Sequence, residues 1–131
     1  EVASRELLAG DGWDAYVKPF RSLEDVYVLS AMTAWLYGVG QDSDWPQALQ
    51  LRLLALLAGC AEASRQAPNN PPGHVLLGGL FAQFESLKTE VDQALVQGDP
   101  AWAAMWQRDQ GVMQLAAGAR AKRLAKALAL A

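Results

Sequence analysis

The sequence predicts an all-α fold: a single domain over residues 1–131, built as a bundle of four main helices preceded by one or two short ones. No segment alternates polar and apolar residues with a period of two, and β-branched residues are scattered, so strands find little support. Signals for helix starts and stops recur instead, and one long stretch has a clear helical stripe. With 131 residues, the chain is long enough for one hydrophobic core.

One or two short helices are expected before the main ones. The stretch "SRELLAG" predicts a turn of helix from Ser4 to Ala9 that stops at Gly10. The stretch "DGWDAYVKPF" predicts another, from Asp11 to about Lys18, because a proline disfavours the helical conformation in the residue before it.

The first main helix is expected over about residues 23–37, within "SLEDVYVLSAMTAWLYG". Ser22 and Asp25 resemble a capping box at its start, and Gly38 is the expected stop. After Asp25, the only non-aromatic polar residues before Gly38 are Ser30 and Thr33. This helix is therefore predicted to be apolar nearly all round.

The second main helix is expected over about residues 45–61, within "DSDWPQALQLRLLALLAGCAEASRQ". Asp44 is the expected cap, and Pro46 falls in the first turn. The centre of this helix has no polar side chain except the thiol of Cys60, so it also lacks a polar face.

The third main helix follows the connector "APNNPPG" and is expected to run from near Gly73 to Gly98. Its pattern is amphipathic, with polar residues on the face opposite an apolar stripe. The stripe consists of Leu77, Leu80, Phe81, Phe84, Leu87, Val91 and Leu95. Gly78 and Gly79 are expected to let a neighbouring helix approach closely.

The fourth main helix is expected to begin with Asp99 as cap and Pro100 in its first turn, and to continue to Leu128. Gly111 and Gly118 inside it each cost about 1 kcal/mol relative to alanine. The two glycines are seven residues apart and share a face, which predicts a close crossing with another helix.

Composition argues against several functional classes. The net charge is −3, with 13 acids and 6 bases in residues 1–100 but 1 acid and 5 bases in residues 101–131. Cys60 is the only cysteine, so we expect no disulfide, no cysteine-based metal site and no cofactor. Apolar runs are interrupted by Arg52 or by Gly78 and Gly79, and none reaches the roughly 20 residues of a membrane span. The compartment stays open, with the cytoplasm slightly favoured over the periplasm.

His74 is the only histidine, and "HVLLG" (His74 to Gly78) resembles the His-x-Leu-Lys-Gly pattern of histidine phosphotransfer domains. That resemblance implies a four-helix bundle with a phosphorylated histidine. Leu77 replaces the family's lysine, however, and Pro71 and Pro72 stand just upstream, whereas the family's histidine lies in the middle of a helix. The sequence therefore favours His74 as part of a helix start, without a role in catalysis.

The acidic residues also have structural explanations. Asp25 and Asp44 are assigned to caps, and Glu85, Glu90 and Asp92 are assigned to a solvated face, so no carboxylate is expected in apolar surroundings that would raise its pKa. No phosphate-binding glycine loop is present. We therefore predict that the protein is not an enzyme.

Two helices without a polar face carry more apolar surface than one small bundle needs to bury. They predict a protein–protein interaction module: an adaptor, chaperone-like or regulatory subunit, with a homodimer as one form of the assembly. The composition, rich in Ala, Leu and Gln, favours a bacterial source. The predicted interface residues are Trp35, Leu36, Leu53, Leu56 and Leu57. As an alternative, the hydroxyl-bearing side of the first main helix lines a pocket for an apolar ligand.

A further alternative concerns the basic segment "ARAKRLAKALALA" near the C-terminus, which is typical of contact with nucleic acid or an anionic surface. The candidate residues are Arg120, Lys122, Arg123 and Lys126. Four bases without interleaved aromatic residues argue against nucleic acid as the partner. The same cations would also complement the end of a helix and the acidic body of the protein.

Overall fold

The computed structural model describes residues 18–66, 70–114 and 117–130. Within them, five α-helices follow one another: α1 (Lys18–Asp42), α2 (Gln47–Ala63), α3 (Pro71–Val96), α4 (Pro100–Asp109) and α5 (Ala117–Leu130). A 3-10 helix, Gln110–Gln114, lies between α4 and α5. These ranges contain no strand, so the prediction of an all-α fold is confirmed. The predicted helices at 4–9 and 11–18 lie outside the described residues, apart from Lys18, where α1 begins.

The first main helix is longer at both ends than its sequence signals predicted. It starts at Lys18, so Ser22 lies inside α1 and is not its cap, and it continues past Gly38 to Asp42. Burial of Val39 offsets the glycine's low helix propensity. Gly40, the residue after Val39, packs against Trp45, and a Cβ at this glycine would lie 2.9 Å from the indole Cε3.

The turn between α1 and α2 also differs from the prediction for Asp44. This residue adopts a left-handed backbone conformation, with φ of 52°, inside the connection and does not cap α2. The N-cap of α2 is Pro46, which has no side-chain oxygen to accept a hydrogen bond. Because the connection between the two helices is only four residues long, α1 and α2 pack side by side and antiparallel.

Helix α3 is the central element of the bundle and contacts α1, α2, α4 and α5. All seven residues of its predicted apolar stripe are buried, so this prediction is confirmed. Two close approaches fix its neighbours. A Cβ on Gly59 of α2 would lie 2.4 Å from Leu80 Cδ2, and a Cβ on Gly78 would lie 2.9 Å from Leu124 Cδ1. The expectation of a close approach at Gly78 is therefore confirmed.

Gly79, Gly111 and Gly118 have no such neighbour, since a Cβ on any of them would meet nothing within 4 Å. The predicted close crossing at Gly111 and Gly118 is wrong. The interval of seven residues between them spans the 3-10 helix, so the two glycines do not share the face of one helix.

The last predicted helix is divided in two. Its start is as expected, since Asp99 Oδ1 accepts a hydrogen bond of 2.8 Å from the amide of Ala101. The prediction of a continuous helix to Leu128 is wrong. The chain changes from α-helix to 3-10 helix at Gln110, and Met113 of this 3-10 helix is buried in the core. The Arg120 guanidinium then donates to the carbonyl oxygen of Met113. Helix α5 packs chiefly on α3.

Candidate functional site

A buried ion cluster joins the first and last helices. Asp25, in the second turn of α1, is almost fully buried. Its Oδ2 accepts a hydrogen bond from Arg123 Nη2, and its Oδ1 lies 3.5 Å from Arg120 Nη1. Both arginines come from the first half of α5, three residues apart, so they project from the same side of that helix.

Three different groups contact the guanidinium of Arg120. In addition to Asp25, it donates to the Met113 carbonyl, and its guanidinium carbon lies 3.9 Å from the centroid of the Phe81 ring. A cation over an aromatic face in a partly desolvated place contributes about 1–2 kcal/mol. Arg120 therefore serves to fix α5 against α3 and the 3-10 helix.

The charge state of Asp25 reflects opposing effects. Burial raises the pKa of its carboxyl group above the usual value, while the charges of Arg123 and Arg120 work against that increase. The prediction that no carboxylate has a raised pKa is thus wrong, and so is the assignment of Asp25 to a cap. The sequence contained a signal: Asp25 is an acid within an apolar helix, and two arginines three residues apart lie on another.

Next to this cluster, a cleft of about 120 Å³ opens between the start of α3 and the first half of α5; we call it the α3–α5 cleft. Leu77, Phe81 and Leu124 form apolar walls, and Arg123 and His74 supply the polar groups. The remaining lining residues are Gly78, Arg120 and Ala121.

His74 lies in the first turn of α3, as the sequence analysis expected, and is half-buried. Burial, and secondly the charge of Arg123, lowers the pKa of the imidazole below 6.5. The cleft therefore combines a neutral imidazole and a fixed guanidinium with apolar walls. Among the described residues, no group of three or more His, Cys, Asp or Glu side chains could hold a metal ion.

The five predicted interface residues divide into two groups. Leu36, Leu53 and Leu56 lie in the core, with 0%, 0% and 1% of their surface exposed, so a partner cannot reach them in this structure. Only Trp35 and Leu57 are partly exposed. The sequence showed that α1 and α2 lack polar faces, but it did not show which side of each helix turns inward.

The exposed apolar surface of α2 is made by other residues. Leu51 and Leu54 have 57% and 43% of their surface exposed. With four exposed alanines they form a stripe along the helix, which we call the α2 outer face: Ala48, Leu51, Leu54, Ala55, Ala58 and Ala61. This exposed apolar surface lies on one of the two helices predicted to carry the interface, but at residues that were not predicted.

The four predicted anion-binding residues also divide. Arg120 and Arg123 face inward and hold Asp25, whereas Lys122 and Lys126 are exposed. The first two therefore have an intramolecular acid as partner, which leaves Lys122 and Lys126 as the exposed members of the predicted set.

Comparison with known proteins identified no similar protein: no family model, no curated protein and no solved structure matches this chain. Of the helices in the described ranges, none combines the length and the apolar character needed to cross a lipid bilayer.

Proposed function

We propose that the protein is a non-enzymatic helical interaction module that works through the α2 outer face, and that a second copy of the chain occupies this face. Support comes from the exposure of Leu51 and Leu54 on a helix whose outward residues are otherwise mostly alanine. Exposed apolar residues grouped in one stripe are characteristic of a contact surface. The role that fits such a subunit is that of an adaptor, chaperone-like or regulatory protein.

The charges beside the face favour a second copy over a partner of opposite charge. Arg52 is paired with Glu90 of α3, and Arg65 with Glu62 at 2.8 Å. These ions are already neutralised within the chain. The face therefore offers shape and apolar area for recognition.

The shape of the face is self-complementary. In an antiparallel arrangement with a two-fold axis between residues 54 and 55, Leu51 of one copy lies opposite Ala58 of the other, and Leu54 lies opposite Ala55. Each large side chain then meets a small one, as an isologous interface requires. Ala48 and Ala61 meet at the two ends and allow the helices to approach closely.

The free energy expected from burying this face predicts a weak dimer. Full burial of a leucine contributes about 1.5–3 kcal/mol, so four half-exposed leucines contribute about 4 kcal/mol in total. The eight alanine methyl groups of the two copies add up to about 6 kcal/mol, at about 0.8 kcal/mol each. Association itself costs at least about 4 kcal/mol, so the net gain is at most about 6 kcal/mol. The dimer is therefore expected to depend strongly on protein concentration.

Sedimentation equilibrium from about 10 μM to about 1 mM tests the proposal, since this range brackets a dissociation constant of weak complexes. We expect the mean mass to rise towards that of a dimer and Leu51→Asp to abolish the rise. Leu128→Asp is the matched control, because Leu128 is 55% exposed but lies on α5. The proposal fails if the wild-type protein stays monomeric throughout, or if both variants behave alike.

The register can be tested separately by cross-linking. A Leu51→Cys chain mixed with an Ala58→Cys chain should form a disulfide between the two chains under mild oxidation. Either variant alone should form little. The native Cys60 is buried and is not expected to compete. Equal yields from the mixture and from the single variants would argue against the antiparallel arrangement.

A further inference from the structure

The α3–α5 cleft holds one cation that is only partly used. Arg120 is engaged by Asp25, by the Met113 carbonyl and by the Phe81 ring. Arg123, by contrast, makes one hydrogen bond within the described residues, from Nη2 to Asp25. A guanidinium has five N–H donors in a planar fork, so Arg123, which lines the cleft, retains donors that no other described residue accepts.

Among the described residues that line the cleft or pair with its arginines, the charges sum to one positive charge. Two guanidinium groups face one carboxylate, and the imidazole of His74 carries no charge at neutral pH. The exposed Glu24 lies next to Asp25 in sequence and outside the lining of the cleft. The surplus charge favours a ligand with one negative charge.

We infer that the α3–α5 cleft binds a small monocarboxylate with an apolar body, its carboxylate held by Arg123 and His74 and its body packed on Leu77, Phe81 and Leu124. This site is separate from the α2 outer face, and its occupancy does not depend on self-association.

Size and shape define the ligand class further. A cavity of about 150 Å³ with apolar walls holds benzene, so a cleft of about 120 Å³ that is open on one side suits a short alkyl or aryl acid. A carboxylate matches the planar fork of a guanidinium, and a neutral imidazole N–H can donate to the same group. A second carboxylate at the far end of the ligand would lie against the apolar walls, where it is poorly solvated, so dicarboxylates should bind less well.

The test is a titration of the full chain with sodium hexanoate, followed by NMR of the His74 ring and of the Leu77 and Leu124 methyl groups. We expect saturable shifts at about millimolar concentration, the range for a ligand of eight heavy atoms. 1-Hexanol, which has the same body without the charge, and adipate, which has a second carboxylate, should each bind at least tenfold more weakly. Equal binding of hexanol, or the absence of saturable shifts at these three residues, overturns the assignment.

Variants identify the residues. Arg123→Gln should weaken hexanoate binding at least tenfold, while Lys122→Gln, which removes an exposed charge from the same helix, should change it less than twofold. Because Arg123 also pairs with Asp25, a second variant keeps the test independent of that ion pair. Ala121 is exposed at the rim of the cleft, so Ala121→Phe fills the cleft and should abolish the saturable shifts. Wild-type affinity in Ala121→Phe, or in a folded Arg123→Gln, overturns the inference.

Discussion

Alanine substitutions at Gly59 and Gly79 should change the stability of the protein in opposite directions. Both glycines lie inside α-helices, Gly59 in α2 and Gly79 in α3, so alanine should gain about 1 kcal/mol of helix propensity at either position. The two sites differ in what the new methyl group meets. At Gly79 it meets nothing within 4 Å, whereas at Gly59 it would lie 2.4 Å from Leu80 Cδ2.

The contact at Gly59 sets the magnitude. An ordinary contact between carbon atoms is about 3.5–4.0 Å, so the Leu80 methyl must move by more than about 1 Å. Leu80 is buried, and its stripe neighbours Leu77 and Phe84 are buried as well, so this movement disturbs the packing between α2 and α3. Overpacking of this kind costs about 1–3 kcal/mol, which exceeds the gain in propensity.

We therefore expect Gly79→Ala to stabilise the protein by about 1 kcal/mol and Gly59→Ala to destabilise it by about 1 kcal/mol. For a chain of this size, the two melting temperatures should differ by about 8 °C, with the wild type between them. Thermal unfolding followed by circular dichroism measures the difference. If Gly59→Ala is as stable as Gly79→Ala, the close approach of α2 and α3 is not a constraint and the reasoning is refuted.

Three further predictions concern buried polar groups. The hydroxyl of Thr33 is fully buried and has no hydrogen-bond partner within the described residues. Thr33→Val should therefore raise the free energy of unfolding, measured by urea denaturation, by about 1 kcal/mol. A loss of stability would mean that the hydroxyl does have a hydrogen-bond partner. Trp106 Nε1 donates to Asp92 Oδ1 at 2.5 Å, so Asp92→Ala should cost about 1–3 kcal/mol, whereas Asp92→Asn, which keeps an acceptor, should cost less. The pKa of His74 is lowered in the folded state, so protonation of the imidazole favours the unfolded chain. The stability that neutral His74 contributes is fully present above pH 6.5 and is lost as the pH falls through the pKa of the folded state. Denaturation curves between pH 8 and pH 5 should therefore show a steeper loss for the wild type than for His74→Gln, and parallel losses would contradict the assignment.

The amphipathic pattern of α3 could be predicted from sequence because the side of the helix that faces the core is apolar and the opposite side is mostly polar. All seven stripe residues are buried for that reason. The Asp99 cap was equally local, since a cap depends on two or three adjacent residues. Features decided by local sequence were thus accessible.

The features that the sequence left undetermined depend on distant residues. Whether Gly38 ends a helix depended on the burial of Val39, and the break after Asp109 depended on the burial of Met113. The role of Asp25 depended on Arg123, which is 98 residues away along the chain. For α1 and α2, a uniformly apolar pattern gives no direction to the inward face, which is why Leu36, Leu53 and Leu56 were assigned to a contact surface and not to the core.

The ion cluster that joins α1 to α5 also has a consequence for the order of folding. Closing a loop of 98 residues costs about 2 kcal/mol more in chain entropy than closing one of ten, at about 0.6 kcal/mol per doubling of length. The α1–α2 hairpin, joined by four residues, avoids this cost, so we expect it to form first. We therefore expect helix α5 to dock last and detach first, in which case its amide hydrogens should exchange with solvent before those of α2 and α3. When α5 detaches, Asp25 becomes exposed and the α3–α5 cleft is lost at the same time. The hydrogen-exchange rate of the α5 amides therefore reports how long the cleft stays formed.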